Sequence, residues 1–106
     1  MAENPKPPAS VRQIAKNALE RRREHGRGGT EVGVARARDL AAGKGISPET
    51  LKRMKSFFAR HSVDPKSDPT SAASIAWGLW GGTAGQKWAT AQVNKIERAK
   101  EKAKKK

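Results

Sequence analysis

Residues 71–89 read Ser71-Ala72-Ala73-Ser74-Ile75-Ala76-Trp77-Gly78-Leu79-Trp80-Gly81-Gly82-Thr83-Ala84-Gly85-Gln86-Lys87-Trp88-Ala89, and this stretch decides the fold. Ser71 to Trp80 is almost wholly apolar, with Ile75 and Leu79 among small Ala and Gly neighbours that suit a packed helix. Gly81-Gly82 stops it. Thr83 and Gln86 then have the spacing of a capping box for a final helix, whose apolar side is Trp88, Ala89, Val93, Ile96 and Ala99. Residues 69–86 carry no charge, but their Gly, Ser, Thr and Pro content argues for a buried helix and a turn rather than a membrane span.

Upstream, the pattern stays helical. Ser47 as cap, Pro48 at the first helical position and Glu49 in the first turn open a helix with Leu51, Met54, Phe57 and Phe58 as its apolar stripe. Two Asp-Pro pairs in residues 62–70 mark the loop that follows. Further back, Thr30 caps a helix over roughly 31–42, with Val34, Ala37, Leu40 and Ala41 inward and Arg36 and Arg38 at the boundary or outside. Ser10 and Gln13 form another capping-box spacing. The helix they open carries Val11, Ile14, Ala15, Ala18 and Leu19 on one face and ends at Gly26. No segment alternates with period two, so no strand is expected.

The expected fold is therefore all-α. It is a compact bundle of four to five short helices over residues 10–97, after a disordered Pro-rich arm (1–9) and before a Lys-rich basic tail (98–106). Its core is expected to hold Ile14, Leu19, Val34, Leu40, Leu51, Met54, Phe58, Ile75, Trp77, Leu79, Trp80 and Trp88. With 106 residues and no Cys, no disulfide reinforces that core and no oxidising compartment is indicated. The N-terminal residues lack the apolar run of a signal peptide.

The net charge is +13 and it is segregated. Residues 10–60 hold 13 Lys/Arg against five Asp/Glu, and residues 94–106 hold seven against two. The segment between them, with all three Trp, is neutral. Such an excess favours polyanions. The phosphate-binding candidates are Arg21, Arg22, Arg23 and Arg27 from the first helix and its loop, Lys52, Arg53 and Lys55 from the third helix, and Lys100, Lys102, Lys104 and Lys105 from the tail. The tryptophans read as core, because no charge surrounds Trp77 or Trp80 in the sequence, whereas base-stacking platforms interleave rings with cations.

Catalysis is poorly provided for. His25 and His61 are the only histidines, and His61 with Asp64 reads as a turn at a helix end rather than a dyad. Neither a metal site nor a cofactor is expected. The Gly81–Gly85 cluster leads into a helix N-terminus where a phosphate could sit, but it lacks the Lys of a P-loop and reads first as a tight turn. Arg27-Gly28-Gly29 is a single copy of a tripeptide that RNA-binding tails repeat, and reads as a loop.

Ser47-Pro48-Glu49-Thr50-Leu51-Lys52-Arg53-Met54, Phe58-Ala59-Arg60-His61, Ile75 to Gly82 and Gly85-Gln86-Lys87-Trp88-Ala89 together resemble a small module of tailed-phage proteomes. The stretch from Arg27 to Arg38 is similar to that module's upstream part, so the likeness covers roughly residues 10–90. The resemblance implies phage origin, a location in the host cytoplasm or the virion, and work in or around the particle or its DNA. It implies no catalytic residue. The expected activity is nucleic-acid binding without sequence specificity, to DNA over RNA and with no membrane role. The alternative is a particle component or interaction protein docking on an acidic protein partner.

If the tail contributes only phosphate contacts, deleting residues 98–106 weakens binding to all DNA sequences alike and flattens its salt dependence. Loss of affinity confined to one sequence, measured by competition among unrelated duplexes, would contradict that role.

Overall fold

The computed structural model describes residues 4–61, 68 and 70–104. Among them are five helices and no strand: α1 (Ala9–His25), α2 (Glu31–Ala41), α3 (Pro48–Arg60), α4 (Ala72–Leu79) and α5 (Gly82–Lys104). The all-α expectation is met.

Two of the expected caps, Thr30 and Ser47, are in place, and Ser71 adds a third that the sequence reading did not name. Thr30, Ser47 and Ser71 each accept, through the side-chain oxygen, a hydrogen bond from the backbone N–H three residues on, at 3.2–3.3 Å. Each satisfies a donor that the first helical turn would otherwise leave open. The other two differ. α1 begins at Ala9 with Pro8 at the cap position and no side-chain cap, so Ser10 lies inside the first turn, and Gln13 donates instead to Asn17 Oδ1 at 2.9 Å. The Pro8 carbonyl starts the helix by accepting from Arg12 N–H. Likewise α5 begins at Gly82, with the Gly85 N–H bonded to the Gly81 carbonyl, so Thr83 is within the first turn rather than at its cap. Gly26, in the left-handed region at φ 62°, ends α1 by donating to Arg22 O.

α1 packs on α2, α4 and α5, and α3 packs on α5. The interior is built from Val11, Ala15 and Ala18 of α1, Ala37 and Leu40 of α2, Leu51, Met54 and Phe58 of α3, Ile75, Leu79 and Trp80, and Ala89 and Val93 of α5. Seven of the expected core residues are thus buried: Leu40, Leu51, Met54, Phe58, Ile75, Leu79 and Trp80. Leu19, Val34, Trp77 and Trp88 pack against this core but stay half-buried, and Ile14 is half-buried as well. The closest seats belong to small residues, because the helices approach too near for large ones. A Cβ at Gly78 would stand 2.8 Å from Ala18 Cβ, and one at Gly85 would stand 2.5 Å from the Trp80 carbonyl oxygen.

Two features of the ends shape the surface. Residues 4–8 of the Pro-rich arm have no regular secondary structure, yet they are fastened: the Pro5 carbonyl accepts from Ile46 N–H at 2.9 Å, and Pro7 is buried. Ile46, itself buried, is a core residue that the helical patterns do not reveal, since it sits in the loop before α3. At the other end α5 runs on as helix through Lys104, so the basic tail from residue 98 continues a regular element. A 23-residue helix is about 34 Å long. Residues 97–102 are exposed on every side of it, and the molecule measures 53 Å along its longest axis against 25 and 21 Å across.

Replacing Gly85 by Ala puts a methyl group against the Trp80 carbonyl, where only backbone movement makes room. The expected cost is about 1–3 kcal/mol, read as a lowered urea midpoint by circular dichroism. An unchanged midpoint would contradict the tight α4–α5 corner.

Candidate nucleic-acid interface

The expected phosphate ligands fall into three groups. In the first, from α1, the arginines are partly committed to structure. Arg21 is half-buried and its guanidinium lies over Gly78, where a Cβ would come within 2.8 Å of Nη2. Arg22 Nε donates to the Gly28 carbonyl at 3.0 Å, and Arg27 Nε donates to the Thr70 carbonyl at 3.1 Å. These bonds hold the Arg27-Gly28-Gly29 loop, whose glycines press on α4: a Cβ at Gly28 would lie 2.5 Å from Ile75 Cγ2. Gly28 also has φ 106°, a conformation that excludes most side chains. Arg23 is exposed, and with Arg22 and Arg38 it borders a groove of about 340 Å³ between α1 and α2 that also contains Glu20.

The second group is on α3. Lys52 and Arg53 are exposed and line a cleft of about 460 Å³ together with Ser56 and Arg60. Positions 52, 53, 56, 57 and 60 share one face at 3.6 residues per turn, and position 55 does not. Lys55 is accordingly half-buried and outside the cleft. Phe57, Trp80 and Val32 supply its apolar surface. Val32, at 56% exposure, is the one large apolar side chain left exposed among the described residues. No carboxylate lines this cleft, and Lys52, Arg53 and Arg60 make no ion pair among the described residues.

Beside the cleft, Arg36 sits 5.9 Å from the Trp80 ring centroid and 3.7 Å from Asp39, which also takes Lys44 at 3.6 Å. Cation–π attraction and a half-buried ion pair therefore both hold Arg36. Val32 and Arg36 lie on one flank of the buried stripe of α2, and Val34 and Arg38 on the other, as 100° per residue requires. The helix thus separates the α1 groove from the α3 cleft.

The third group is on α5. Lys100 and Lys102 are exposed, Lys104 is the last helical residue, and Lys105 lies outside the described residues. Lys95, Arg98 and Lys102 share a flank of this helix. Of the cations the sequence reading did not select, Arg36, Arg38, Arg60, Lys95 and Arg98 join these groups. Arg60 was within reach of sequence reasoning, being seven residues after Arg53 on the same helix face.

The rings around Trp80 form a connected set. Phe57 stacks on Trp80 with centroids 4.7 Å apart and planes 11° apart, and on His61 at 4.6 Å and 30°. Phe58 meets Trp77 edge-on at 4.8 Å. His61 therefore serves as the end of a ring stack, and Asp64, its suggested turn partner, lies outside the described residues. Gly81 and Gly82 are buried in the α4–α5 corner, a tight turn as expected. Among the described residues no group of three or more His, Cys, Asp or Glu could hold a metal ion, and no helix is long and apolar enough to cross a membrane.

No protein-family model, curated protein or solved structure matches the chain.

The loop before α4 carries a displaced titration. The Asp68 carboxyl accepts from Thr70 N–H at 2.9 Å and from Thr70 Oγ1 at 2.8 Å. These bonds, with smaller help from Arg27 and His25, hold its pKa below the ordinary carboxylate value. A lowered folded-state pKa means that this turn is stabilised above the ordinary carboxylate pKa and that the stabilisation is lost as pH falls through the folded value. Thr70→Val removes the hydroxyl donor and is expected to raise the Asp68 midpoint in a carboxyl-carbon NMR titration. An unmoved midpoint would contradict the side-chain bond.

Proposed function

We propose that this chain is a phage-encoded protein that binds nucleic acid, DNA above all, through phosphate contacts without sequence specificity. One observation carries the reading. Lys52, Arg53 and Arg60 gather on one face of α3 around a cleft with no carboxylate in its lining among the described residues. A charge run that is only a solvated surface interleaves its cations with acids, as Glu97 and Glu101 do along α5. Among the described residues no acid joins them in that lining, although Glu49 stands on the same side of α3, and the arginines suit phosphate oxygens.

The other groups extend the footprint. Arg23 and Arg38 border the α1 groove, and the projecting end of α5 offers Lys95, Arg98 and Lys102 away from the bundle. Cations distributed over three elements track a backbone and carry no sequence information. Phage origin is supported by the likeness of residues 47–61 and 75–89 to a tailed-phage module. Binding rather than catalysis is favoured by a composition with two histidines and no Cys.

A second reading, docking on an acidic protein, is favoured by Val32. Its exposure beside Phe57 and Trp80 leaves an apolar surface ringed by cations, which is also how an interface for an acidic segment is built.

Binding to a labelled random-sequence duplex and to a single strand of equal length is expected to weaken steeply with salt. The slope of log affinity against log salt is about −4 to −6 if ~4–7 phosphates are contacted. Replacing Lys52, Arg53 and Arg60 together by Ala lowers the magnitude of the slope by about 2–3, whereas Lys55→Ala changes it little. Absence of binding to either strand form at low salt would overturn the phosphate reading in favour of a protein partner.

A further inference from the structure

Behind the cationic cleft lies a second cavity, of about 310 Å³, and the stacked pair Phe57–Trp80 borders both. Its walls are aromatic: Phe57 and Trp80 from that pair, with His61 and Trp77. Its remaining lining is small, from Gly29 and Thr30 at the start of α2 and Ala73 and Ala76 on α4. Gly29 admits the loop here because a Cβ at that position would lie 2.6 Å from Leu79 Cδ1. Among the described residues, the polar side chains of the lining other than the two indoles are Thr30 and His61. A cavity of this size is at the lower end of small-ligand pockets, which run from about 300 to 1,000 Å³.

We infer that this pocket receives an unpaired base of a nucleic-acid strand whose phosphates lie on Lys52, Arg53 and Arg60. The inference rests on the phosphate-binding reading and adds to it a preference for single-stranded or locally opened nucleic acid. Ring-lined pockets take flat apolar groups, and bases stack on aromatic side chains whatever their sequence. The neighbouring cleft selects among such groups. Its three cations, in a chain of net charge +13, repel the organic cations that aromatic cages otherwise attract. A neutral apolar molecule fits the rings but makes no use of the cations. A base joined to phosphates uses both sides of the Phe57–Trp80 wall. Bases paired within a duplex cannot enter, so the pocket reads strand state and not sequence.

The juxtaposition is a product of folding. In the sequence no charge surrounds Trp77 and Trp80, and α3 supplies the cations across the fold.

The test compares three probes of equal length at ~50 mM salt: an oligothymidylate, an abasic strand with the same phosphates, and a duplex. Each is titrated against the full chain and against Ala73→Phe. Ala73 is exposed in the first turn of α4, so the larger side chain fills the pocket from outside the core, and circular dichroism checks that helicity is kept. The wild-type chain is expected to bind the intact strand about ten- to a hundredfold more tightly than the abasic strand. Its tryptophan fluorescence is quenched by the intact strand alone. Ala73→Phe is expected to abolish that preference and the quenching while leaving abasic binding and its salt slope unchanged. Equal binding of intact and abasic strands by the wild-type chain overturns the base pocket and leaves the phosphate reading standing. A preference that survives in Ala73→Phe overturns the pocket as the place where the base sits. No binding of any probe, with capture of an acidic peptide instead, overturns both readings.

Discussion

At Gly85 the first turn of α5 comes so near the end of α4 that a methyl group would lie 2.5 Å from the Trp80 carbonyl oxygen. That contact is the constraint from which the rest follows. It exists because Gly81 and Gly82, at φ 102° and 62°, reverse the chain within two residues. The reversal fixes where Trp80 stands, and Trp80 is the residue against which Phe57 of α3 stacks and over which Arg36 of α2 is held. One indole thereby ties together three successive helices, α2, α3 and α4. Gly78, one turn before the corner, lets α1 approach through Ala18. Interiors packed at crystal-like density leave such positions no freedom to relax by small steps.

The arginine-rich surface divides into two kinds of cation. Arg22, Arg27 and Arg36 each have a partner inside the molecule: the Gly28 carbonyl, the Thr70 carbonyl, and Asp39 with the Trp80 ring. They set the loop that backs α4 and the flank of the aromatic cluster. Lys52, Arg53 and Arg60 are different, because among the described residues the cleft they line contains no acid and has an apolar floor. A basic residue beside a low-dielectric wall has a stronger field than one surrounded by water, which is why clefts focus charge better than convex surfaces do. The geometry thus sets three of the chain's cations beside the Phe57–Trp80 wall.

The helices were largely legible in the sequence because their signals are local. Thr30, Ser47-Pro48 and Ser71 mark starts that the structure keeps, and Gly26 and Gly81-Gly82 mark stops. Ser10 and Thr83 have the same chemistry, and each lies inside its helix because the preceding backbone already starts the turn. Pro8 supplies the first carbonyl of α1, and Gly81 that of α5. The apolar faces were legible too, but not the depth of each residue. Ala15, Ala18 and Ala37 are fully buried while Trp77 and Trp88 are only half-buried, since close helix crossings favour small side chains and push large ones to the margins. Ile46 escaped notice because a lone apolar residue in a loop has no period, and its partner, the Pro5 carbonyl, comes from the arm before α1.

Among the candidate site residues, the helical repeat alone could group Lys52, Arg53 and Arg60 and set Lys55 apart. By itself the sequence determined the helical class, the net charge and its segregation, and the places where the chain must turn, since each depends on residue type or on neighbours a few positions away. Only the tertiary structure decided that the neutral tryptophan segment lies beside the basic face of α3, that Arg22 and Arg27 hold loops, and that two cavities share the Phe57–Trp80 wall. Those are relations between surfaces of different helices. The α4–α5 corner sets them, through contacts too close for a side chain, and no local pattern encodes such distances.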